Sequence, residues 1–259
     1  MSISRKIGTH LARYLSEPRD ELSMGYTKAG DLAACVRKGD VLLVEGTSRI
    51  SSAIKYLTQS SWSHAAIFVG DEIRRHNEHG DRLVLVEADL VEGVRAIPLD
   101  TYETMHTRIC RPAGLDNDEI AAIMQHVIAR IGHTYDLKNI ADLARYFITT
   151  PPVPGNWKRR MIAFGSGDPT RAICSSLIAE AFQSIGYPIL PDVDLHKSNT
   201  REGKRYQREI LHIRHHSLFA PRDFDVSPYF EIIKPTLGKD FDFRQLSLRS
   251  PADEPESGR

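Results

Sequence analysis

The stretch SHAAIFVGDEIRRHNEHGDRLVLVEADL, Ser63 to Leu90, decides the fold. Two apolar runs, ended and opened by Gly and Asp, flank a polar, His-rich connection, and this pattern predicts two antiparallel strands joined by a long loop. With the hairpin centred near residue 76, His64 falls opposite about residue 88. His64 and Glu87 are then cross-strand neighbours if they share a face, and one residue of register separates them. A carboxylate inside LVLVEA is out of place in an apolar strand, because burying it without a partner is expensive. Glu87 should therefore face either solvent or a partner.

Working outward, Gly39 and Asp40 open the run Val41-Leu42-Leu43-Val44, a buried strand. Ser48 is a plausible N-cap for a helix whose apolar positions are Ile50, Ile54 and Leu57. Beyond the hairpin, Val94 to Ile97 and Thr107 to Arg111 are shorter strands, the second closed by Pro112. Asp116 and Glu119 form a capping-box pair ahead of Ile120, Ile123, Met124, Val127, Ile128 and Ile131, which follow helical spacing until Gly132. Cys174 opens another helix with Leu177, Ile178, Ala181, Phe182 and Ile185 as its buried stripe and Gly186 as its stop. SPYFEIIKP supplies a last strand.

These elements divide the chain into a helical N-terminal extension, residues 1–37, a domain over 38–237, and a disordered tail over 238–259, rich in charge and Pro. A Pro- and Gly-dense insertion at about 149–170 interrupts the domain and is long enough to act as a lid. In residues 1–15, Ile3, Ile7, Leu11 and Leu15 share one helical stripe, with Arg5, Lys6 and Arg13 on the polar side. This helix either docks on the body of the protein or lies on a membrane surface. Residues 16–36 read as polar and irregular.

Composition narrows the function. Of the 259 residues, 34 are Lys or Arg and 34 are Asp or Glu, so no overall field draws the chain to a phosphate backbone and no nucleic-acid partner is expected. The local basic run NTREGKRYQREILHIRHH reads as a solvated face. No apolar run reaches the roughly 18 residues of a membrane span and no secretory h-region opens the chain, so the expected location is cytoplasmic, with residues 1–15 as a peripheral contact at the inner membrane surface. Cys35, Cys110 and Cys174 are too few and scattered for a disulfide framework. No cofactor is expected, since there is no Gly-rich phosphate loop and no GxSxG elbow. His76, Glu78 and His79 sit in a polar turn, and His212, His215 and His216 lack a full ligand set, so no metal is assigned to either group. Oligomeric state is not legible.

A cysteine in the first turn of a helix meets unpaired backbone N–H groups that favour its thiolate, and Cys174 has that placement. A thiolate nucleophile also needs a base within reach, usually His, and a third polar group to orient the imidazole. His64 and Glu87 supply both. Ser175, next in the chain, offers its backbone N–H as an oxyanion donor, and Ser63 helps shape the site beside His64. Cys35 and Cys110 read as ordinary small apolar residues.

In order and character, SHAAIFVGD, VEADLVEGV, GHTYD and AICSSLIAEAF resemble the circularly permuted branch of the NlpC-type papain-fold cysteine hydrolases, in which the histidine strand precedes the cysteine helix. The likeness runs over roughly residues 38 to 235 and is strongest to the YiiX- and YebB-like group; the lecithin–retinol acyltransferase proteins are more distant. It implies an α+β fold of permuted papain-like type, an antiparallel sheet packed against the nucleophile helix, with Cys174 as nucleophile, His64 as general base and acid, and Glu87 as orienting group. Tyr135 matches the tyrosine after the long helix and would line the substrate pocket or help the oxyanion. The implied activity is cleavage of a peptide or isopeptide amide through a thioester. The alternatives are a lipid-acting thiol hydrolase or acyltransferase working on an acyl substrate, and a non-catalytic binding module.

Overall fold

The computed structural model describes residues 29–89, 91–134, 173–196, 208–212 and 215–234. The expected helix at 1–15, the insertion at 149–170, Tyr135 and the tail at 238–259 lie outside the described residues.

Six strands form one antiparallel sheet: β1 (Val41–Val44), β2 (His64–Phe68), β3 (Leu85–Asp89), β4 (Gly93–Ile97), β5 (Thr107–Pro112) and β8 (Phe230–Ile233), in the order β4-β3-β2-β1-β5-β8. Helices α1 (Ala29–Cys35), α2 (Arg49–Thr58), α3 (Asn117–Ile128), α4 (Ile173–Ser184) and α5 (Pro221–Asp225) surround it, and β6 (Asp192–His196) pairs with β7 (Arg208–His212) as a separate ribbon. The expected α+β class is what the structure has. Neither the ribbon nor α5 is foreseen by periodicity, because both are too short to carry one.

The caps follow the sequence. Ser48 Oγ accepts the Ser51 amide at the start of α2, and Asp116 with Glu119 closes a reciprocal capping box on α3. Helix α3 ends at Ile128, a turn before the expected Gly132, which instead takes a positive φ of 90° and returns the chain to β4 through its amide bond to Val94 O. The reading of 16–36 as irregular is corrected at its end, since Ala29–Cys35 is helical. Leu32 is fully buried, and Arg111 Nη2 donates to Cys35 O at 2.6 Å, so tertiary contacts hold a helix too short to stand alone. The same Arg111 forks onto buried Asp40 at 2.9 and 2.7 Å.

Strand alternation sends side chains to two faces. Val41, Leu43, Ala65, Ile67, Val86, Ala88 and Cys110 join the core formed with Ile123, Met124, Val127, Leu177, Ile178 and Phe182 of α3 and α4. On the other face, Leu42, Val44, Ala66, Leu85, Ile97 and Ile109 pack with Leu32 of α1 and with Tyr102, which ends the short 3-10 turn Leu99–Tyr102.

The register of the central hairpin needs a correction of one residue. Ala66 pairs with Glu87 and Phe68 with Leu85, which carries His64 toward residue 89 rather than 88. The expected register would have put His64 and Glu87 on opposite faces; the observed one sets them diagonally on the same face. The cause is an asymmetric connection, in which an outer bridge pairs His76 with Arg82 while Val69 bonds to Val84, leaving more chain on the first side than on the second.

Candidate active site

His64 is the first residue of β2, and its approach is pinned from several sides. The Ser63 amide donates to Val44 O at 3.1 Å, and Ser63 Oγ accepts the Gly46 amide at 2.9 Å. A Cβ at Gly46 would lie 2.4 Å from Ser51 Oγ and 3.0 Å from Ser63 Oγ, so only glycine lets this loop come so close. Just before, Trp62 Nε1 donates to Asp225 Oδ2 at 3.1 Å, and Arg108 donates to Asp225 Oδ1 at 2.6 Å while lying 4.9 Å from the Trp62 ring. Ser63 is thus a buried brace for the histidine loop.

Glu87, only 2% exposed, lies at the middle of β3 and is fully engaged. His64 Nε2 donates to Oε2 at 2.6 Å, Arg95 Nε donates to Oε1 at 2.7 Å, and the Tyr102 hydroxyl donates to Oε2. Burial alone would drive this carboxyl up. The charge and hydrogen bond of His64, the Tyr102 hydroxyl and the Arg95 guanidinium outweigh it and hold the group at about 2. Arg95 and Tyr102 are absent from the sequence-based site. Arg95 carries a signal, because it is the direct β4 partner of Glu87, across the tight Asp89–Gly93 turn. Tyr102 comes from a 3-10 turn, which has no periodicity to read.

Cys174 occupies the first turn of α4 and is 4% exposed. It approaches from the α3/α4 side of the sheet, whereas His64 and Glu87 belong to the other side. They meet near the start of β2, where the imidazole of His64 and the backbone N–H of Ala65 both lower the Cys174 thiol. That amide is free to do so because the paired β2–β3 register stops at Ala66 and Glu87. With Nε2 committed to Glu87, Nδ1 is the ring nitrogen left for the sulfur. The buried Ser175 hydroxyl lies 3.9 Å from Sγ.

The electrostatics follow from this packing. Burial pushes the Cys174 thiol up, but His64, the Ala65 amide and Ser175 more than cancel it and leave the thiol below its usual value. Burial pulls His64 down, and the combined pull of Cys174 and Glu87 raises it well above its usual value. The two shifts are one coupled interaction, an imidazolium stabilised between a thiolate and a carboxylate. The structure therefore brings Cys174, His64, Glu87 and Ser175 together. Among the described residues no group of three or more His, Cys, Asp or Glu side chains converges as a metal site, and no helix is long and apolar enough to cross a membrane.

Residues 35–147 match the family model described as permuted papain-like amidase enzyme, YaeF/YiiX, C92 family. That stretch contains the histidine and carboxylate strands and stops short of the cysteine helix. Over those residues the chain is similar to permuted papain-like amidases. The crystal structure of the metalloprotein yiiX from Escherichia coli O157:H7 aligns with a TM-score of 0.43 and 16% identity, over 76% of this chain and 96% of that one. None of the curated proteins matches the chain in sequence.

Proposed function

We propose that the protein is a thiol-dependent hydrolase that cleaves an amide, of peptide or isopeptide type, through a Cys174-His64-Glu87 triad. The observation that carries this reading is the placement of one imidazole between a buried carboxylate, 2.6 Å from Nε2, and a thiol on a helix's first turn. The likeness of residues 35–147 to an amidase family supports the bond type.

In the reaction, His64 holds the proton of Cys174, and the thiolate adds to the substrate carbonyl carbon. The Ser175 backbone N–H, at the mouth of α4, stabilises the oxyanion. Collapse of the tetrahedral adduct breaks the C–N bond, and the departing amine takes the proton from His64, leaving a thioester. His64 then takes a proton from water as its oxygen attacks the thioester carbonyl, and collapse breaks the C–S bond, releasing the acid and restoring the thiolate beside the imidazolium. Glu87 keeps the ring oriented and its charge balanced throughout.

Iodoacetamide labelling read by mass spectrometry tests the nucleophile. Cys174 should be alkylated at neutral pH well ahead of Cys35 and Cys110, and Cys174→Ala should lose turnover of peptide amides by about four orders of magnitude while keeping its thermal unfolding profile. Labelling of Cys174 no faster than of Cys110 would remove the hydrolase reading and favour a binding module. The acyl-chain alternative depends on residues 1–15: liposome co-sedimentation of the full chain and of a chain lacking them decides it, with equal binding counting against a membrane role.

A further inference from the structure

The described site contains more donors to Glu87 than a simple orienting group requires. Oε1 receives Arg95 Nε at 2.7 Å, and Oε2 receives both His64 Nε2 at 2.6 Å and the Tyr102 hydroxyl. Arg95 is itself held so that Nε points forward, with Nη1 on Glu92 Oε2 at 2.7 Å and Nη2 3.8 Å from Asp89 Oδ2. The Tyr102 ring lies 6.0 Å from the His64 ring, on the same face of the sheet.

We propose that Arg95 and Tyr102 are positioning residues that share the negative charge of Glu87, limiting its hold on His64 so that the imidazolium can release its proton to a leaving group. This rests on the thiol hydrolase reading. An imidazolium pressed between a thiolate and an undivided buried carboxylate would keep its proton, because both anions favour the charged ring. General acid catalysis needs the opposite, a donor whose proton is transferable near the working pH. A guanidinium on one oxygen and a hydroxyl on the other disperse the carboxylate charge while fixing its plane. The ionisable groups around His64 are Cys174 from α4 and Glu87 from β3, with Arg95 of β4, Tyr102 of the 3-10 turn, and Asp89 and Glu92 behind them. Of these, Arg95 is the cation that balances Glu87.

The test is an NMR titration of the His64 ring C–H signal in the full chain, assigned by its disappearance in His64→Gln. In Arg95→Met the midpoint should rise by about one pH unit relative to wild type. Tyr102→Phe, which deletes a single oxygen and keeps the ring in the core, should raise it by less, and Arg95→Lys should leave it in place because the charge remains. A purely structural role would lower the unfolding temperature and leave the midpoints unmoved. Midpoints that stay or fall in both Arg95→Met and Tyr102→Phe overturn the proposal, as does a rise in Arg95→Lys equal to that in Arg95→Met. If Arg95→Met does not fold, Tyr102→Phe decides alone. Wild-type labelling by iodoacetamide in parallel separates the two ideas: an unreactive Cys174 sinks the hydrolase reading whatever the titration gives, and a reactive one with unmoved midpoints sinks only charge sharing.

Discussion

Cys110 and Cys174 are both buried, at 0% and 4% exposure, and their thiols are driven in opposite directions. At Cys110, in the middle of β5, burial pushes the thiol far up, with Asp225 adding to it and Arg108 only partly opposing it. At Cys174 burial has the same sign, yet the thiol ends below its usual value because His64, the Ala65 amide and Ser175 face the sulfur. Burial therefore does not make a cysteine inert. What separates the two is that a cation and a backbone N–H together outweigh burial at Cys174, where β2 and α4 both begin, and do not at Cys110 in mid-strand.

The largest break in this contrast should come from His64→Gln. Without the imidazolium only the Ala65 amide and Ser175 are left to oppose the desolvation cost at Cys174, the residue moves toward the behaviour of Cys110, and its alkylation rate at neutral pH should drop about 1000-fold. A drop below tenfold would mean that the helix end and backbone donors activate the sulfur without the ring.

Glu87→Gln comes next. Because the folded carboxyl sits at about 2 against an ordinary 4.5, Glu87 contributes stability that is fully present above pH 4.5 and is lost as pH falls toward 2. That amounts to roughly 3 kcal/mol, shared with His64 rather than added to it. The His64 side has the reverse sign: its raised value stabilises fully below the ordinary 6.5 and is lost as pH rises through the folded value. Denaturant melts of Glu87→Gln should be weaker near neutrality and decline less steeply than wild type between pH 4.5 and 2; parallel slopes would show the carboxyl is not held down. Labelling of Cys174 should slow, though less than in His64→Gln.

The smallest effect belongs to Cys110→Ala. Removing a buried sulfur leaves a small cavity costing about 1–2 kcal/mol by chemical denaturation, with Cys174 labelling within about twofold of wild type. A larger change in labelling would mean the two sulfurs are coupled through the core.

Much of this was legible beforehand, for reasons the residues make plain. Ser48 and the Asp116-Glu119 pair announce their helices because capping chemistry is local. The grouping of Cys174, His64 and Glu87 was legible because a helix-start thiol and a misplaced strand carboxylate are each unusual and make sense together. The register was not, since the loop between β2 and β3 distributes its residues unevenly and no counting from its midpoint recovers that. Helix α1 was missed because Leu32 packing and the Arg111 bond to Cys35 O create it, and both partners are remote in sequence. Tyr102 was missed because the 3-10 turn that carries it has no periodicity to read.

The order of His64, Glu87 and Cys174 along the chain has a consequence for synthesis. His64 of β2 and Glu87 of β3 emerge first, and the Cys174 sulfur follows only with α4, on the segment made later. Until that helix docks across the sheet's end, nothing ionises the thiol, and a nascent or partly folded chain carries an ordinary, sluggish cysteine. The lowered thiol of Cys174 is therefore a property of completed tertiary structure, since the groups that lower it come from separate elements.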